Sequence, residues 1–175
     1  MDEPRGGATP EQSQREPAPA ASPVRRLIGV WLGRRRYAPT YALQLELFEL
    51  KKRLPTAVDL VLLLEHEPVI TLGRGAKSGD VLVSHALLAS RGIDVITTDR
   101  GGEVTLHAPG QLVCYPIIGL APERCDVRRY VNDLTAVMRG LIAPRGIDAG
   151  AMPGLVGLWV DRADSGHWSG HEQAR

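Results

Sequence analysis

The sequence predicts a mixed α/β fold, an α+β sheet with flanking helices, and three observations predict it. Short apolar runs recur at Leu60 to Leu64, Val69 to Leu72 and Ile93 to Thr97. Two stretches with apolar residues at helical spacing, Tyr37 to Lys52 and Asp126 to Ile142, alternate with them. Two further strands, Glu103 to His107 and Gln111 to Ile118, follow one another across a single Ala108-Pro109-Gly110 turn, so the sheet should contain a hairpin-like reversal.

The elements follow in order. Met1 to Pro23 is rich in Pro, Ala, Gly, Glu and Gln and reads as a disordered tail. Val24 to Leu32 reads as a first strand. In the following helix Tyr41, Leu45 and Phe48 recur at helical spacing, with Leu43, Leu47 and Leu50 beside them, and Pro55 follows its end. Leu60 to Leu64 is continuously apolar, as a buried central strand requires. Ser84 caps a short helix through Ser90, closed by Gly92. Asp126 caps a helix whose apolar stripe is Val127, Tyr130, Val131, Leu134, Val137, Met138 and Leu141. Leu155 to Val160 reads as one more strand. The expected organisation is a tail (1–23), one domain (24–161) and a segment with no apolar periodicity (162–175).

Composition narrows the function classes. With 175 residues and 43% hydrophobic content the chain has enough material for one core. Only 5% of residues are aromatic, so packing rests on aliphatic side chains. Twenty-one basic and 20 acidic residues give a net charge of +1, which makes no field to gather nucleic acid or an anionic membrane. No run approaches the length of a membrane span, and the N-terminus lacks the apolar middle of a secretory signal. Two cysteines form neither a disulfide framework nor a metal-ligand spacing, so a cytoplasmic location is expected, with no metal and no cofactor.

Chemistry concentrates in the run Arg100-Gly101-Gly102-Glu103-Val104-Thr105-Leu106-His107-Ala108-Pro109-Gly110-Gln111. A turn between strands needs one or two special residues, and this run has six. Glycines allow close backbone approach, while Arg, Thr, His and Gln supply donors and acceptors. The run is therefore read as a substrate cradle with His107 at its mouth. His66, at the end of the Leu60 to Leu64 strand, is expected near His107, with Arg74, Pro109, Gly110 and Gln111 as further pocket candidates. The Gly73 to Asp80 loop lacks the Gly-Lys-Ser/Thr ending of a phosphate loop. Cys114 lies among apolar neighbours and reads as a buried, inert thiol, and nothing places Cys125 at the pocket. Arg34-Arg35-Arg36 and Lys51-Lys52-Arg53 read as solvated faces.

Residues 100 to 117, Arg-Gly-Gly-x-Val-Thr-x-His-x-Pro-Gly-Gln-Leu-Val-x-Tyr-Pro-Ile, closely resemble the lipoyl(octanoyl) transferase family, also called lipoate-protein ligase B. Tyr41-Ala42-Leu43-Gln44, Leu62-Leu63-Leu64-Glu65-His66-x-Pro68-Val69-x-Thr71-Leu72-Gly73-Arg74, Arg128-Arg129-Tyr130-Val131 and Pro153-Gly154-Leu155-Val156-Gly157-Leu158-Trp159-Val160 resemble further family segments in the same order. The resemblance implies a biotin/lipoate ligase-like fold, incomplete at its C-terminal end. It implies transfer of an octanoyl group from octanoyl-acyl carrier protein to a lysine of the lipoyl domains of 2-oxoacid dehydrogenases and of glycine cleavage H protein. It gives Arg100, Gly101, Gly102, Glu103, Val104, Thr105, Leu106 and His107 the acyl-binding role. The family chemistry uses a cysteine thioester and a lysine that lowers the thiol's pKa. In the family both lie beyond the Gly-x-Trp-Val segment, and no lysine follows Lys77 and no cysteine follows Cys125 here. The expectation is therefore a truncated or frameshifted tail and no turnover by the family mechanism. The alternative is a non-catalytic acyl- or carrier-binding module. An ATP-dependent ligase is disfavoured, since no ligase-type nucleotide loop is visible. Ala108 stands where the family usually has glycine, which would strain a left-handed backbone at that position.

Overall fold

The β-branched and leucine-rich runs do form strands, and the helical spacings do form helices. The structure, a computed structural model, describes residues 26–121, 125–161 and 164–168. The tail expected at 1–23 lies outside the described residues. The elements are β1 (Leu27–Arg35), α1 (Tyr37–Arg53), β2 (Asp59–His66), β3 (Val69–Leu72), α2 (His85–Ser90), β4 (Asp94–Thr97), β5 (Val104–His107), β6 (Val113–Ile117) and α3 (Val127–Ile142), followed by a 3-10 turn, Ala143–Arg145.

Two three-stranded sheets result, in the orders β1-β2-β6 and β4-β3-β5. In the first, β1 runs parallel to β2 through the α1 crossover, and β6 is antiparallel to β2. In the second, β4 is parallel and β5 antiparallel to β3. The expected hairpin between β5 and β6 does not form, because each pairs elsewhere: β5 with β3 and β6 with β2. The same change of sheet happens at Glu67-Pro68 between β2 and β3. Proline has no backbone N–H for a ladder, so the strand ends there. The chain thus crosses between the sheets twice, and His66 and His107 are the last residues before the two crossings.

The core lies on one face of the first sheet. Leu62, Leu64, Val113 and Ile117 are buried there, with Val30, Leu32, Leu60, Tyr115 and the α1 residues Leu43 and Leu47 packed against them. Leu43 and Leu47, four apart, face the sheet, whereas Leu45, Phe48 and Leu50 are exposed. Pro39 is tolerated in the first turn of α1, where its missing N–H would be unsatisfied anyway. At the other end of this helix Lys51 is not part of a solvated face. Its Nζ meets Asp59 Oδ1 at 2.7 Å with both side chains almost wholly buried, and Asp59 also accepts from Gly119 N at 3.0 Å.

Strand alternation turns Trp31, Leu63 and Cys114 to the opposite face. Cys114 is therefore exposed, contrary to the reading of a buried thiol, because little covers that face: Leu27 and Trp31 are each 59% exposed. The caps of α2 and α3 are as expected, with Ser84 accepting from Leu87 N and Asp126 from Arg129 N. The apolar stripe of α3 is only partly covered among the described residues: Tyr130, Val131 and Leu134 are half-buried, while Val127 and Val137 are about two-thirds exposed. Leu155 to Val160 forms no strand. Only Trp159 bridges, to Gly150, because the bend at Gly157, which takes φ 129°, breaks the run and no neighbouring strand among the described residues offers a ladder.

A bulge in β1 has functional weight. The β1–β2 register shifts between Trp31 and Arg34, and Gly33 there takes φ 70°, a left-handed conformation that glycine adopts without strain. The extra residue puts Arg34 opposite Glu65 and Arg35 opposite His66.

Candidate functional site

His66 is completely buried at the C-terminal end of β2 and forms the hub of an aromatic cluster. Its ring centroid lies 5.1 Å from that of Tyr37, 5.4 Å from His107 and 5.9 Å from Tyr115. Tyr37 also stacks on His107 at 6.1 Å and on Tyr41 at 5.9 Å. Two of the chain's four tyrosines, Tyr37 and Tyr115, thus pack against the two histidines, and Tyr41 joins them through Tyr37.

Hydrogen bonds set the tautomer of His66. Nδ1 lies 3.0 Å from the Arg35 carbonyl, which can only accept, so Nδ1 carries the proton. Nε2 then accepts from the Tyr115 hydroxyl at 2.8 Å. Burial pushes the His66 pKa down, and the neighbouring His107 pushes the same way, so the ring is held neutral. Burial also pushes Tyr115 up to about 12, which keeps its hydroxyl a donor. Tyr41 donates to Asp99 Oδ1, and that bond raises its own pKa.

The second sheet supplies the other wall. Alternation puts Thr105 and His107 on one face of β5 and Val104 and Leu106 on the other, so the run 104–107 cannot line a single wall with all its side chains. Thr71, fully buried in β3, stands opposite Thr105. Arg100 is fastened to it: Nε donates to Thr71 Oγ1 (3.2 Å), and Nη2 donates to Thr71 O (2.8 Å), Thr71 Oγ1 (3.0 Å) and Glu103 O (3.1 Å). Nη1 donates to Gly101 O at 3.0 Å. Each guanidinium nitrogen is committed to a neutral acceptor.

Past the strand ends, two glycine-rich loops continue the pairing. Gly73 N donates to Glu103 O (2.7 Å), Arg74 N to Arg100 O (3.0 Å) and Gly75 N to Gly102 O (3.0 Å). A Cβ on Gly73 would lie 2.4 Å from the Gly102 carbonyl oxygen, a backbone atom that cannot swing away. Gly73→Ala should therefore lower stability by about 1–3 kcal/mol through overpacking, read as a drop in thermal midpoint. A midpoint within a degree of the parent would show that the two loops are not held together. Arg74 is exposed, and its backbone N–H belongs to this loop pair.

The turn after β5 is gripped at Gly110, whose N–H donates to Glu65 Oε2 at 3.1 Å. That bond, and the Arg34 guanidinium at 3.3 Å, hold the Glu65 carboxyl below the usual range. Gln111 Oε1 lies 2.6 Å from His107 Nδ1. No non-glycine residue among those described takes a positive φ, so Ala108 carries no left-handed strain. Among the described residues no group of three or more His, Cys, Asp or Glu is placed to hold a metal ion.

In the sequence, Tyr37, Tyr115 and Asp99 carry no motif that marks them as site residues. Their signal was scarcity, since tyrosine is rare in this chain and three of four lie in motifs otherwise read as core.

Residues 36–170 match the family described as the lipoyl protein ligase A/B catalytic domain. An octanoyltransferase of Myxococcus xanthus is 46% identical over 129 residues, 74% of this chain and 36% of that protein. An octanoyltransferase of Chloroflexus aurantiacus is 44% identical over 137 residues, covering 78% and 61% respectively. The chain therefore spans between about a third and three-fifths of the length of these relatives. Among solved structures, a lipoate-protein ligase A bound with ATP superposes with a TM-score of 0.53 at 14% identity, covering 81% of this chain and 54% of that one. Protein Ta0514 from T. acidophilum gives 0.55 at 14%, covering 73% and 51%. At such identity the likeness is one of fold, and it agrees with the mixed α/β architecture described above.

Proposed function

Because this chain belongs to the lipoyl protein ligase A/B catalytic-domain family, we propose that it carries the acyl-binding wall of an octanoyltransferase. The reaction proposed is transfer of an octanoyl group from octanoyl-acyl carrier protein to a lysine of lipoyl domains, those of 2-oxoacid dehydrogenases and of glycine cleavage H protein. The octanoyltransferase relatives support this reading. In it the loop pair 73–75 and 100–103 and the Thr105 and His107 face of β5 hold the acyl group. The His66, Tyr37 and Tyr115 cluster backs the mouth.

The observation that carries the choice of a transferase over an ATP-dependent ligase is the state of Arg100. A ligase must hold a free carboxylate and then an acyl-phosphate, and both call for an uncommitted cation. Arg100 gives its donors to Thr71, Gly101 and Glu103 instead. A neutral thioester needs no ion pair, and the fixed positive charge can still favour oxygen charge that develops during acyl transfer.

A second reading is favoured by the thiols. Cys114 points away from His66 and Tyr115 on β6, and Cys125 lies beside Leu120 O at the start of α3. No contact among the described residues joins either thiol to the cradle, and in this second reading the described residues act as an acyl- or carrier-binding module.

Calorimetry with octanoyl-pantetheine, octanoate and octanoate plus ATP tests both. We expect the thioester to bind at least tenfold more tightly than the acid, no effect of ATP, and no hydroxylamine-sensitive octanoyl-protein. Tighter binding of octanoate in the presence of ATP would sink the transferase reading. A trapped octanoyl thioester on either cysteine would sink the module.

A further inference from the structure

We infer that Glu65 is a positioning residue for His107, acting through the Ala108–Gln111 turn. Its bearing on acyl binding rests on the function proposed above, whereas its geometry does not. Glu65 and His66 are neighbours in β2, so their side chains leave opposite faces of the strand. On one face His66 meets His107. On the other, Glu65 Oε2 takes the Gly110 N–H at 3.1 Å. One strand end therefore grips the turn from both sides.

Between the two grips sits Gln111. Its backbone N–H closes the turn onto Ala108 O at 3.1 Å, and its Oε1 faces His107 Nδ1 at 2.6 Å. An amide oxygen can only accept, so this contact selects the His107 tautomer with the proton on Nδ1 and leaves the Nε2 lone pair for a ligand. Released from Glu65, Gly110 would free the backbone immediately before Gln111, and the selection would weaken.

A plain surface ion pair would explain Glu65 more simply. Its partner Arg34 is 57% exposed, however, and such pairs contribute little. The Gly33 bulge brings Arg34 alongside Glu65, and with it the carboxylate is steered towards the turn rather than towards solvent.

The test is a set of 15N-labelled full-length chains, the parent, Glu65→Gln and Glu65→Ala, read by long-range 1H–15N correlation of the His107 ring at pH 8. The parent and Glu65→Gln, which keeps an acceptor oxygen, should show a single Nδ1–H tautomer. Glu65→Ala should show a mixture of both, with octanoyl-pantetheine affinity down about tenfold, as for loss of one charge-assisted hydrogen bond. If alanine prevents folding, Glu65→Asp, one methylene short of the turn, carries the same comparison. A lower melting temperature with an unchanged His107 spectrum overturns the inference, since Glu65 would then be structural only. If the parent binds no octanoyl-pantetheine, the acyl-binding reading fails, and the ring spectra, which need no ligand, still decide the role of Glu65.

Discussion

Replacing His66 with alanine should destabilise the chain by about 3 kcal/mol or more and remove part of its pH dependence. The side chain is fully buried, so its loss leaves a cavity among Tyr37, His107 and Tyr115. It also removes one hydrogen bond each from the Tyr115 hydroxyl and the Arg35 carbonyl, about 0.5–1.5 kcal/mol apiece, since these keep Gln44 and the Glu67 N–H as partners. The sign of the pH effect follows from the lowered pKa of His66 relative to its ordinary value of 6.5. Between the folded and unfolded pKa values the unfolded chain binds the extra proton. Stability from the neutral ring is thus complete above 6.5 and declines as the pH falls below it. Urea unfolding at pH 7.5 and 5.5 should show the parent losing stability on acidification by more than the His66→Ala variant does. Equal losses in the two proteins would mean that His66 is not held neutral by burial.

Replacing Lys51 with methionine should be comparably damaging, about 3–5 kcal/mol, for a different reason. Lys51 and Asp59 meet at 2.7 Å with side chains only 11% and 7% exposed. Removing the cation takes a buried ion-pair partner from a carboxylate that the Gly119 N–H also supports. That carboxylate joins the end of α1 to the start of β2 and the exit of β6, so the loss is felt in all three elements. The double variant Lys51→Met with Asp59→Asn should recover most of the loss, because no buried charge remains. Chemical denaturation checks both, and a single-variant effect below about 1 kcal/mol would place this pair with ordinary surface pairs.

Much of this fold can be read from the chain because its local signals agree with one another. The bounds of α1 and β3, the Ser84 and Asp126 caps and the central place of β2 follow from spacing and cap chemistry. The hairpin was misread because a turn specifies a change of direction and not a partner, and β5 found β3 instead of β6. Cys114 was misread because alternation says which residues share a face and not whether anything covers it. Leu155 to Val160 was misread because an apolar run needs a neighbour to become a strand. At the site, His66, His107 and the Arg100 loop were legible as residue types. The consumption of Arg100 by Thr71 and the grip of Glu65 on Gly110 depend on tertiary placement and backbone N–H groups, which carry no residue signature.

The two crossings between sheets have a consequence for how this chain can vary in length. The site residues Tyr37, His66 and His107 stand beside the ends of β1, β2 and β5, within a residue or two of a change of direction. One residue added at Glu67-Pro68 has no loop to absorb it and would slip β3 by one, exchanging its inward and outward side chains, and one added at Ala108–Leu112 would move Gly110 off Glu65 or Gln111 off His107. Past Gly75, the stretch leading to α2 holds neither the cluster nor the paired glycine loops, and extra residues there leave every strand register as it is. Descendants of this sequence can therefore drift in length past Gly75, while its corners are fixed to the residue.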